Sequence, residues 1–65
     1  MSARAALERA LADAGFSLRV GKHHVWRRGP VMVVFSGTPG DQRALRNQIA
    51  DTRRALRAVG AEVRV

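Results

Sequence analysis

Cysteine and tyrosine are absent from this chain, and acidic residues are scarce. Without cysteine, neither a disulfide framework nor a thiolate-held metal can staple the fold. A chain of 65 residues must then hold itself together by packing or association, because so short a chain buries only a modest core. The missing cysteines also suit a reducing compartment, and the expectation is a cytoplasmic protein. Long hydrophobic runs are lacking too. The Ala-rich stretch at the start is broken by Arg4, Glu8, Arg9 and Asp13, so neither a signal-peptide core nor a membrane span is expected. Repeats, linkers and low-complexity tracts are likewise missing, and residues 1–65 read as one domain. Aromatic rings are few: Phe16, Trp26 and Phe35.

What the chain has in excess is positive charge. Twelve Lys and Arg stand against five Asp and Glu, giving a formal net charge of +7 and a pI near 11.9. A small domain so biased is suited to a polyanion such as RNA, or to an acidic protein surface. No long basic amphipathic helix with bulky apolar residues is present, so a membrane is not an expected partner.

The order of elements follows from periodicity. Ser2 caps a helix to about Ala14, in which Ala3, Ala6, Leu7, Ala10, Leu11 and Ala14 recur at three and four and form one stripe. Arg4, Glu8 and Arg9 are expected away from it. Gly15 ends the helix. Residues 16–20 alternate apolar and polar as a short strand, Gly21-Lys22 reads as a two-residue turn, and His23 to Arg27 returns. After the turn Arg28-Gly29-Pro30, the apolar run Val31–Phe35 predicts a central buried strand. Thr38, Pro39 and Asp41 carry the cap, first-position proline and capping-box acid of a second helix, which runs to about Val59 and stops at Gly60. Its stripe is Leu45, Ile49, Thr52, Leu56 and Val59. Ala61–Val65 alternates, as either a frayed tail or a short fourth strand. The predicted class is α+β, in the order α-β-β-β-α: a three-stranded antiparallel sheet with two helices on one face.

Chemistry concentrates in Gly21–Arg28, which holds both histidines, the only lysine and the only tryptophan. Strand alternation puts His23, Val25 and Arg27 on one face and His24, Trp26 and Arg28 on the other. An imidazole titrates near neutrality and can move a proton. RNA carries its own nucleophile, the 2′-hydroxyl. His23 or His24, with Lys22 or Arg27 beside the phosphate, is therefore a minimal metal-free cleavage site, and no cofactor is expected. Two adjacent histidines without a carboxylate cluster lack metal-ligand spacing. Trp26 is read as core, with base stacking as the alternative. Arg43, Arg46, Arg53, Arg54 and Arg57 fall within an arc of about 100° on the second helix, opposite its apolar stripe. Together with Lys22, Arg27 and Arg28 they are the expected phosphate contacts.

These residues resemble the HicA family of toxins, small mRNA interferases with a fold like the double-stranded RNA-binding domain. Gly15-Phe16 matches the family's Gly-aromatic helix end. Gly21-Lys22-His23-His24-Val25-Trp26-Arg27 matches its Gly-Ser-His strand, with Lys22 where the family usually has Ser. The likeness spans about Leu7 to Ala58. It implies an endoribonuclease whose histidine is His23 or, as in some members, His24. It also implies a HicB-like antitoxin or other acidic partner. The alternative is a non-catalytic nucleic-acid-binding or partner-binding module of a phage or regulatory system on the same fold.

Overall fold

The computed structural model describes residues 2–36 and 42–65. Ser2 begins the first element: its Oγ accepts the Ala5 N–H at 3.1 Å, so helix α1 runs Ala3–Asp13. The helix ends where Gly15 takes φ +88°. There the Gly15 N–H donates to the Ala12 carbonyl and the Phe16 N–H to that of Leu11. This is the reciprocal pair of a Schellman ending, with buried Leu11 and Phe16 supplying the apolar contact that accompanies it. A Cβ at Gly15 would have room, so backbone conformation alone explains the glycine here. Gly60 ends helix α2 (Gln42–Ala58) by the same pair of bonds, to Arg57 and Leu56. The expected cap at Thr38, Pro39 and Asp41 lies outside the described residues.

Between the helices, β1 (Ser17–Val20), β2 (His24–Arg28) and β3 (Val31–Phe35) form an antiparallel meander in the order β1-β2-β3. The chain is α+β, as its periodicity predicts. β3 is an edge strand, not a central one. Its Val33 and Phe35 are nevertheless buried, because α2 packs on it. The β2–β3 turn is Gly29-Pro30, between the paired Arg28 and Val31. Gly29 has φ +56° and proline holds a negative φ, the sequence of signs of a type II′ hairpin.

The first hairpin departs from expectation. Val20 pairs with His24, so the loop is three residues, Gly21, Lys22 and His23, rather than two. Gly21 is not in the left-handed region. It donates its N–H to the His23 carbonyl at 3.2 Å, which closes the loop. His23 therefore belongs to the turn, and the strand starts at His24.

Leu7, Leu11, Phe16, Trp26, Val33, Phe35, Ala55 and Leu56 make the core. Ala61–Val65 forms no strand, but Ala61, Val63 and Val65 still turn toward that core. Exposure on the inward side climbs from 5% at Phe16, just before β1, to 42% at Leu18 and 66% at Val20 within it. The β1–β2 hairpin thus projects past the helix layer.

Thr52 is fully buried, and among the described residues its Oγ1 has no hydrogen-bond partner. Replacing an unpaired buried hydroxyl by a methyl removes a desolvation penalty with little change of shape. Thr52→Val is expected to raise stability by about 1 kcal/mol, read from urea unfolding. A lower midpoint would show that the hydroxyl is satisfied.

Candidate nucleic-acid interface

The projecting hairpin sets the geometry of the site. Alternation from the observed register puts Val20, His24, Trp26 and Phe35 on the helix side of the sheet. Trp26 and Phe35 are sealed under α1 and α2. His24, paired with the uncovered Val20, keeps its side chain 37% exposed. The sequence reading had His24 and Trp26 on one face, and they are.

Glu8 reaches down from α1 to meet both. Its Oε1 lies 2.7 Å from His24 Nδ1 and accepts the Trp26 indole N–H at 3.2 Å. A carboxylate can only accept, so Nδ1 carries the hydrogen, and a neutral ring then presents the lone pair of Nε2. One carboxylate oxygen anchored by a core indole thus orients a half-exposed imidazole. The sequence reading placed Glu8 away from the apolar stripe, and this is corrected. At about 100° per residue it stands some 60° from Leu11, at the border of the stripe, and it is half-buried.

Arg4 is corrected in the same way. One turn before Glu8, it is half-buried, with its guanidinium 5.6 Å from the centre of the Phe35 ring. His23, in the loop, is exposed, and its side chain has no described partner. Lys22 beside it is exposed too. Trp26 is 7% exposed. It belongs to the core, as expected, and its burial leaves little of the ring for the alternative of base stacking.

The remaining arginines divide by what they touch. Arg28 donates to the Ala14 carbonyl at 2.8 Å, at the C-terminus of α1, where a cation complements both the free carbonyls and the helix dipole. The expectation for Arg28 was a phosphate contact; the structure shows it capping α1, with the side chain still exposed. Arg27 folds back to the Gly29 carbonyl at 3.0 Å. On α2, Arg43, Arg46, Arg53, Arg54 and Arg57 are all exposed and lie opposite the buried Gln48, Thr52, Ala55 and Leu56. Arg53 donates to the Val65 carbonyl at 2.5 Å, tying down the tail, and Arg54 pairs with Asp51 at 3.3 Å. Arg64 bonds Glu62 at 3.0 Å, which holds its proton more firmly than usual. The ridge faces solvent away from the sheet, whereas Glu8 and His24 meet between α1 and β2. The structure does not bring the two together.

Among the described residues, no three His, Asp or Glu side chains gather as metal ligands. No described helix is long and apolar enough to cross a membrane. A groove of about 410 Å³ runs between β3 and α2 past Val31, Val33, Ala55 and Ala58. It holds no histidine, and the open Glu8–His24 pair is the better place for chemistry.

No family model, curated protein or solved structure matches this chain. The site is therefore read from its own atoms. Glu8 was invisible to sequence reasoning because its partners lie 16 and 18 residues away. The one available signal was an acid at the edge of an Ala/Leu stripe.

Proposed function

We propose that this protein binds RNA and cleaves it without a metal, in the manner of the HicA interferases it resembles, with His24 as the general base. The observation that carries this reading is the 2.7 Å contact between Glu8 and Nδ1 of a half-exposed histidine. In the reaction, Nε2 of His24 takes the proton of a 2′-hydroxyl. The 2′-oxygen attacks the adjacent phosphorus, the bond from phosphorus to the 5′-oxygen breaks, and the leaving oxygen takes a proton from water or from His23. The products are a 2′,3′-cyclic phosphate and a 5′-hydroxyl. Glu8 is a positioning residue that fixes the tautomer and offsets the charge gained by the ring.

Arg46 and Arg57 on α2 serve binding, as exposed cations without a described partner. An antitoxin-like acidic protein would compete with RNA for the same charge, in a cytoplasmic setting. The non-catalytic binding module is favoured by one observation, the separation of the α2 ridge from the histidine.

The test is incubation of the protein with a labelled single-stranded RNA in the presence of a chelator. Cyclic-phosphate ends are expected, together with binding that weakens with salt. Arg46→Glu/Arg57→Glu is expected to flatten the log–log salt slope by about 0.7 per lost contact. Retardation without cleavage would move the assignment to the binding module. Salt-independent binding would remove RNA as the partner.

A further inference from the structure

The row of side chains on the inner face at the open end of the sheet is Val20, His24 and Phe35, contributed by β1, β2 and β3. Two residues of α1 stand over it, Glu8 on His24 and Arg4 on Phe35. Arg4 and Glu8 are four apart, the spacing at which an arginine and a glutamate on one helix commonly pair. They do not pair here. Glu8 Oε1 is engaged by His24 and Trp26, and Arg4 has no carboxylate within ion-pair distance among the described residues. Its guanidinium is instead held against an aromatic ring that is itself 1% exposed.

The helix dipole does not favour a cation at this position. Arg4 sits in the first turn of α1, and no acidic residue shares that turn. A half-buried arginine in such a place, held by a ring and with no carboxylate partner among the described residues, is suited to an anionic ligand. Its planar fork suits the paired oxygens of a phosphodiester.

We infer that Arg4 holds the phosphate that His24 acts beside, so that α1 supplies the anion-binding group and the positioning acid one turn apart. The inference rests on the RNA-directed reading above and goes beyond it by naming the phosphate-binding residue, which lies off the α2 ridge. In the cleavage step Arg4 neutralises the non-bridging oxygens as charge builds on them, and no proton or bond of its own changes.

The experiment compares Arg4→Met with Arg9→Met. Methionine keeps an apolar stem over Phe35 and removes the charge. Arg9 is an exposed cation on the same helix that bears on neither Phe35 nor His24. Affinity for a labelled single-stranded RNA, its salt slope, and competition by inorganic phosphate are measured, with thermal melts to establish folding. Arg4→Met is expected to weaken binding about tenfold, to lower the salt slope by about 0.7, and to abolish competition by phosphate. Arg9→Met is expected to move affinity and slope less, and to leave phosphate competition in place. Equal behaviour of the two variants would overturn the inference. Because binding is read apart from cleavage, a wild-type protein that binds but does not cut would sink the catalytic reading and leave Arg4 on trial. A wild-type protein that does not bind RNA would sink both. Arg4→Lys separates a bidentate site, where it fails like methionine, from simple attraction, where it restores binding. Restoration would overturn the geometric part of the argument.

Discussion

His24→Ala is expected to lower the rate of RNA cleavage by about 10²–10⁴-fold, the range a single general base contributes. Affinity for RNA should stay near that of the wild type, since the cations are untouched. The fold should persist as well, because the ring is half-exposed and Glu8 keeps its bond from the Trp26 indole. His23→Ala, by contrast, should leave the rate unchanged if water protonates the leaving oxygen. Its ring stands in the hairpin loop with no partner among the described residues to orient it. Glu8→Gln preserves shape but cannot offset the charge of an imidazolium, so kcat should fall while KM holds. The decisive readout is the double variant. If Glu8 acts only through His24, then Glu8→Gln/His24→Ala is no slower than His24→Ala alone, the non-additivity expected of residues that work as a unit. A further loss in the double variant would mean that Glu8 acts independently. Full activity in His24→Ala with loss in His23→Ala would transfer the base to the loop.

The contrast between the two histidines shows what the sequence could and could not tell. Boundaries set by backbone chemistry were legible. Ser2, Gly15, Gly29-Pro30 and Gly60 each stand where an orphan amide, a left-handed φ or a two-residue turn needs them. The stripe of α2 was legible for a different reason: residues at three and four must share a face, and Leu45, Ile49, Thr52, Leu56 and Val59 do pack inward or at the border of the core. The loop of the first hairpin was misjudged by one residue, because Gly21 looked able to close a two-residue turn and the chain uses three. That single residue moves His23 out of the strand and makes His24 its first member. Side-chain pairing across distant elements left almost no trace. Glu8 and Arg4 look like ordinary surface charges on a short helix until β2 and β3 come beneath them. Arg28 likewise resembles its neighbour Arg27, yet only Arg28 finds the end of α1.

Trp26→Ala is expected to cost about 3–5 kcal/mol, as for other large core aromatics. Domains hold about 0.05–0.15 kcal/mol per residue, so a chain of 65 residues has roughly 3–10 kcal/mol to lose. The alanine variant should therefore be largely unfolded at 37 °C, seen as loss of the cooperative melt. That outcome alone would not separate a core residue from one that also meets RNA. Trp26→Leu does so, because it restores most of the apolar volume while removing both the ring and the indole N–H. If the ring stacked on a base, its loss would cost about 1–3 kcal/mol, or roughly five- to 150-fold in affinity. The burial of Trp26 predicts instead that folded Trp26→Leu, measured at low temperature, binds RNA as the wild type does. Its cleavage should still be slower. Glu8 Oε1 then keeps only its bond with His24 and loses the one that ties it to the core, so the imidazole is held less firmly. Unchanged binding with slower cleavage is a signature that a stacking residue cannot produce, and it would place Trp26 beneath the catalytic pair as its floor.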